Sequence, residues 1–227
     1  DLKAKYAEMK PRFRQFVEGR DIKYVDIEVK ASAKDVAALN AQMKGYATEL
    51  ATATDPSTVV SKSASLVSYL GVPVGKDAFT YDIAGRLDSM AVGSTTGVIE
   101  SKFDNSLNVI KLISKQQLPD SIQFRAIQVV NADAAASKKT ADSIYTAIKG
   151  GADFEVVAKK YGQGGEKTWM TTRQYQSAPS LDTNTKSYIT ALNTMAVNEV
   201  RVINLTQGQL VVQVLDRKNM INKYVAA

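Results

Sequence analysis

The chain has 227 residues, 44% of them hydrophobic and 23% charged, with a formal net charge of +6, which is enough apolar material for packed cores in one large or two small domains. It contains no cysteine and no histidine, so Cys–His and Ser–His–Asp nucleophiles, zinc sites of thiolate or imidazole, and haem on a His or Cys ligand are excluded. No apolar run approaches the roughly 18 residues that would cross a bilayer.

Residues 1–19 read as a helical leader that Gly19 ends and Pro11 kinks. Six Lys and Arg against three acidic residues fall within residues 1–20. Such charge suits an anionic surface or a solvated helix whose long stems lie over apolar surface. With no aromatic stacking platform beside it, the solvated helix is the preferred reading and no nucleic-acid partner is expected. Ile22–Val29 alternates, with Val25, Ile27 and Val29 on one face, and reads as a strand. Ser32 offers an N-cap to a helix striped by Val36, Leu39, Met43, Tyr46 and Leu50, and Asp55-Pro56 opens a shorter one. Phe79, Ile83, Leu87 and Met90 make a further stripe closed by Gly93. Thr95–Ile99 and Leu107–Ile113 are strand-like, and Gln116–Asp120, with Pro119, reads as a boundary.

The second half runs in the same order. Phe124–Val130 is a strand, and Asn131 or Asp133 caps a helix carrying Ala141, Ile144, Tyr145 and Ile148. Phe154, Val157, Ala158 and Tyr161 stripe a shorter helix, and Tyr188, Leu192 and Met195 a third. Val200–Leu205 and Gln209–Leu215 are strands joined closely enough to be antiparallel, and Asn219–Tyr224 opens a C-terminal helix. Leu87-Asp88-Ser89-Met90-Ala91-Val92-Gly93 returns 105 residues later as Leu192-Asn193-Thr194-Met195-Ala196-Val197-Asn198. Ile22–Val29 and Ile122–Val130 lie about the same distance apart. That period exceeds the roughly 20–50 residues of a solenoid repeat and fits two copies of a small domain.

Phe154-Glu155-Val156-Val157-Ala158-Lys159-Lys160-Tyr161, Gly164-Gly165-Glu166 with Trp169-Met170, Leu192–Glu199 and Gly208–Asp216 together resemble motifs of the parvulin-type peptidyl-prolyl cis-trans isomerases. In the first half, Leu87–Gly93 and Ser106–Leu112 fit the last two motifs. The resemblance covers roughly residues 20–218 and looks like the exported chaperone-isomerases with tandem parvulin domains. It implies an α+β fold of two tandem parvulin-like domains, each a small antiparallel sheet packed with three to four helices, preceded by a helical segment. The implied division is a leader at 1–19, domains at 20–117 and 118–218, and a helical tail at 219–227.

The resemblance also implies a site. The family's two strand histidines fall at Tyr24 and Asn108 in the first half and at Ala126 and Leu210 in the second, so all are replaced. The Cys or Asp at the centre of the family's site falls at Glu166 and near Leu66. Apolar residues that would hold a proline ring fall near Phe79 and Ile83, and near Asn184 and Tyr188, with Met170 beside them. Glu166 is the candidate catalytic acid, against the plainer reading of a solvated loop carboxylate. Phe79, Ile83, Tyr188 and Met170 are the candidate substrate-binding residues, against the reading of core positions. Trp169 is expected as a core anchor with its N–H bonded.

An X–Pro bond turns over a barrier of about 18–20 kcal/mol, and no covalent bond is made or broken. The chemistry needs a dry apolar pocket and a placed donor, with no cofactor and no metal. The expectation is a parvulin-family folding factor that acts on unfolded exported polypeptides, in the periplasm or a similar compartment. Its isomerase activity is weak or absent in these residues, and a membrane anchor upstream of Asp1 is compatible with the family. The alternatives are an active isomerase using the second domain and, ranked last, a nucleic-acid-binding protein.

Overall fold

Two strands of 18 residues each, β4 (Leu112–Val129) and β7 (Gln209–Ala226), pair antiparallel along most of their length and set the frame of the protein. This computed structural model describes residues 1–13, 19–27, 30–63 and 65–227. By its internal contacts the chain divides into two compact units, 1–36 and 37–227.

The first unit holds α1 (Leu2–Met9), capped by the Asp1 carboxylate on the Lys3 N–H, a 3-10 turn at Lys10–Phe13, and the start of α2 (Ala33–Thr52). Pro11 thus lies in a tightened turn at the helix end, where its missing N–H is tolerated. The strand expected at Ile22–Val29 is absent over the described residues 22–27, and residues 28–29 lie outside the described set.

In the second unit, α3 (Pro56–Lys62) starts on the Asp55 cap, with proline in the first turn as its sequence demands. Short β1 (Val74–Gly75), α4 (Tyr81–Leu87), β2 (Ile99–Glu100) and β3 (Leu107–Asn108) lead into β4. After β4 come α5 (Ala134–Lys149) and α6 (Phe154–Lys160), capped by Asp133 and Asp153. Then follow β5 (Thr168–Thr171), α7 (Thr172–Gln176), α8 (Thr183–Thr194), β6 (Val200–Asn204) and β7. The main sheet runs β1–β7–β4–β5, and β6 also pairs with β7.

The long strands give the sheet two ends. At the upper end, β4 residues 122–129 pair with β7, β5 lies along the other side of residues 121–124, and β6 flanks β7. At the lower end, β4 residues 112–118 pair with β7 residues 221–226, whose far side carries β1. Alternation along β4 divides the upper end into two cores. Ile127 and Val129 pack with Ala141, Ile144, Phe154 and Val157 of α5 and α6. Ile122 and Phe124 pack on the other face with Met170, Tyr175, Ile189, Leu192 and Met195. A third core at the lower end gathers Leu87, Ile99, Ile110, Leu112 and Tyr224.

Two expectations are overturned. The helical tail expected at 219–227 is strand: Asn219 takes φ +56°, and the chain then continues extended along the open edge of β4 instead of starting a helix. The polar run Asp216–Asn219 resembles a helix start, but pairing with β4 outweighs that local signal. The boundary expected at Gln116–Asp120 lies inside β4, with Pro119 buried opposite Met220. The register runs unbroken past it from Leu118–Ile221 to Ser121–Lys218, with Asp120 and Asn219 alone unpaired.

Candidate functional site

A half-buried apolar surface at the upper end, called the Tyr188 cleft below, lies on the face of β4 and β7 opposite α5 and α6. Ala126, Leu181, Tyr188, Ala191, Leu205 and Leu210 are half-buried and pack against the core of Phe124, Met170 and Val212. The Tyr188 ring meets Phe124 edge-on, with centroids 5.4 Å apart. Burial holds the Tyr188 phenol well above its ordinary pKa, so it stays a neutral hydrogen-bond donor at any physiological pH. Asn184, at the start of α8, accepts from the Thr206 N–H at 2.7 Å and the Thr206 hydroxyl at 2.9 Å, which ties α8 to the turn between β6 and β7.

The candidate residues separate. Met170 and Tyr188 belong to this one cluster, and Phe79 packs against its lower margin while also touching the lower core. Ile83 packs only into the lower core, where it covers Leu87 and Leu112. Phe79 and Ile83 are therefore mainly core residues, the plainer of their two expected roles. Phe79 also lines an open groove of about 380 Å³ with Leu70, Val72 and Pro179, away from Tyr188.

Glu166 is exposed. Its loop is anchored by Gly165, at φ +68°, where a Cβ would stand 3.0 Å from Ala158 and 3.2 Å from Phe154. Those two residues belong to the core under α6, on the sheet face opposite Tyr188. The arrangement brings no acid to the cleft through Glu166. Nor is Trp169 a core anchor: it is half-buried on β5, with the Lys218 ammonium 4.7 Å from its ring centroid.

Two features escaped the sequence. Gln163 lays its side-chain amide along β4, donating to Gln128 O at 2.7 Å and accepting from Gln128 N–H at 2.8 Å. It imitates one residue of a paired strand and closes that stretch of edge. Lys223, on β7, is buried with its ammonium donating to Asn193 Oδ1 at 2.8 Å and to the Tyr175 hydroxyl at 3.1 Å. Tyr175 in turn donates to Pro73 O at 2.7 Å. Desolvation pushes the Lys223 pKa down to about 8. A lysine flanked by Asn222 and Tyr224 carries no sequence mark of burial.

Residues 107–218 match the family model described as the PPIC-type PPIASE domain. This segment is similar to the parvulin-type isomerases. The match spans β3, β4 and everything through the start of the lower half of β7, so it contains the whole Tyr188 cleft. No curated protein matches the chain. Among the described residues there is no cluster of carboxylates able to hold a metal ion, and no helix long and apolar enough to cross a membrane. Within the PPIC-type segment, the floor of the cleft presents Ala126 and Leu210, the two positions at which the resemblance implies histidines, so it can offer apolar contact and one phenol but no imidazole.

Proposed function

We propose that this chain is a parvulin-family folding factor that holds extended, partly apolar polypeptide segments in the Tyr188 cleft and accelerates X–Pro isomerisation weakly or not at all. The observation that carries this reading is the half-buried apolar surface of Ala126, Leu181, Leu205 and Leu210 with Tyr188, inside a segment that matches the PPIC-type family. Apolar pockets of this kind recognise alternate side chains of an extended segment. The Tyr188 hydroxyl is a donor for a client carbonyl, and a single neutral donor supplies little of the electrostatic stabilisation a twisted amide requires.

The wider reading has two parvulin-like domains, with the lower end as the second, and clients that are unfolded exported chains. Its support is the repeated order of elements. The competing reading is an active isomerase working from the upper end.

The test measures X–Pro exchange in a short peptide and aggregation of an unfolded client, on the chain and on Tyr188→Ala. The expected result is near-background exchange, with aggregation suppressed by the chain and less so by the variant. Strong acceleration of exchange would establish the isomerase reading instead. Suppression unchanged in Tyr188→Ala would move the binding surface away from this cleft.

A further inference from the structure

The repeat of Leu87–Met90 in Leu192–Met195 makes Asp88 and Asn193 equivalent positions, each at the C-terminal end of a helix. Two adjacent residues of β7 reach them from between. The strand period turns Lys223 and Tyr224 to opposite faces of the sheet. Lys223 donates to Asn193 Oδ1 at 2.8 Å, and Tyr224 donates to Asp88, which also accepts from Lys76. One step of strand thus clasps both helix ends, one on each face.

The two clasps differ in charge and burial. Tyr224 meets an exposed carboxylate that is already paired with an ammonium. Lys223 is buried among neutral acceptors, and among the described residues no carboxylate oxygen comes within 4.0 Å of its ammonium. For stability alone, an apolar side chain of similar length would serve better there. What the ammonium adds is direction. Tyr175 donates its own proton to Pro73 O, and Asn193 donates its amide to Ile189 O at 2.8 Å, so each turns a lone pair to Lys223. Arg217 donates to Asn193 O at 3.1 Å, a second cation at the end of α8 where the helix dipole favours one.

These bonds decide how α8 sits. Ile189 and Asn193 form one stripe of the helix, and Tyr188 and Leu192 the next, each pair one turn apart. Asn184 ties the first turn to Thr206, and Asn193 ties the last turn to Lys223. The two ties stand roughly 14 Å apart along the axis, with Tyr188 between them. A roll of α8 that releases Asn193 from Lys223 also turns Tyr188 against Phe124.

We propose that Lys223 is a positioning residue for the Tyr188 cleft: through Asn193 it fixes the rotation of α8 and so the direction of the Tyr188 hydroxyl. The inference rests on the reading of that cleft as the client site, and it adds to the site a residue beyond the family-matched segment 107–218. Charge-assisted donation is the stronger kind, so the clasp is tightest while Lys223 is an ammonium. The groups facing it are Tyr175 from α7, Asn193 from α8, Asp120 from β4 and Arg217 from β7, while β1 presents Gly75. Burial brings the Lys223 pKa down to about 8 and raises that of Tyr175, so passing from pH 7 to pH 9 neutralises the ammonium while Tyr175 keeps its proton.

The test titrates labelled, reduced and carboxymethylated lactalbumin, an unfolded client, between pH 7 and pH 9. It compares the chain with Lys223→Met, Tyr224→Phe and Tyr188→Ala, and measures denaturant unfolding of each alongside. The affinity of the chain should fall about three- to ten-fold through about pH 8 while its stability rises. Lys223→Met should bind weakly at both pH values although it is the more stable protein, and show no such fall. Tyr224→Phe, which breaks the equivalent clasp on the other face, should lose stability and keep its affinity. Affinity that follows stability upward, in the chain above pH 8 and in Lys223→Met, would overturn the proposal and leave Lys223 a purely structural residue. So would Lys223→Met that binds as the chain does while Tyr188→Ala binds weakly, an outcome in which the reading of the cleft survives. Tyr188→Ala that binds as the chain does, or a chain that binds no client, would remove that reading and this proposal with it.

Discussion

Ile113 and Leu215 are the same bulge, 102 residues apart, at opposite ends of one sheet. A bulge adds local twist and fixes register, so two matching bulges set equivalent registers at the two ends. The two ends use different stretches of the same two strands, β7 residues 209–217 above and 220–226 below. Stopping the chain at Arg217 should therefore remove the lower end selectively. Amide exchange is expected to lose protection at Leu112 and Ser114 and to keep it at Ile127 and Val211, which Val202 and α5 still support. Uniform loss across both ends would show that the upper end does not stand alone.

Lys223 gives a pH dependence whose sign is fixed by desolvation. Its folded pKa is about 8 against an ordinary 10.5, so the unfolded chain binds more protons between those values. Stability should rise as pH climbs from about 8 towards 10 and be flat in this term below 8. The groups facing the ammonium are Tyr175, Asn193, Asp120 and Arg217. Tyr175 is itself raised by burial and Tyr224 is pushed up to about 12, so ionisation of the tyrosines reverses the trend above pH 10. Lys223→Met should abolish the rise and stabilise the protein at pH 7 by about 1–2 kcal/mol, read by denaturant unfolding.

Gly165 and Glu166 are adjacent and should respond in opposite ways. Gly165→Ala puts a methyl group on Ala158 and Phe154 from a positive φ and should cost about 1–3 kcal/mol. Glu166→Ala, at an exposed position, should stay within about 0.5 kcal/mol and leave client holding unchanged. A loss of client holding in Glu166→Ala with normal stability would restore that residue to the site.

Tyr188→Phe separates packing from hydrogen bonding. The ring contact with Phe124 is retained, so the melting temperature should hold within about 2 °C, while client affinity falls by the few-fold expected of one lost hydrogen bond. Tyr188→Ala should lose both, with about 2–3 kcal/mol of stability. Thermal melts paired with client titration read the two effects apart.

Much of this was legible in the sequence wherever local signals and tertiary packing agree. The Asp55-Pro56 start, the Asp133 cap and the stripe Ala141, Ile144, Ile148 appear as written, because caps and helical stripes are set within a few residues. The cleft was half legible: Tyr188 and Met170 meet, but Glu166 follows Gly165 to the other face, which depends on a glycine conformation rather than on spacing. What spacing could not reveal was strand continuity. Pro119 and Asn219 both read as breaks, yet both lie inside a long ladder whose register runs straight through them, with only Asp120 and Asn219 unpaired. The burial of Lys223 follows from that continuity and was invisible for the same reason.

The pairing of Leu112 with Ala226 also imposes an order of events on synthesis. Residues 221–226 leave the ribosome more than a hundred positions after the strand they complete at 112–118. The upper end, whose elements all lie between Ile122 and Asp216, can close as soon as β7 emerges. The lower core of Leu87, Ile99 and Ile110 must wait for residues 221–226, holding its apolar surface open until they arrive. A keeper of unfinished chains thus passes through an unfinished state of its own.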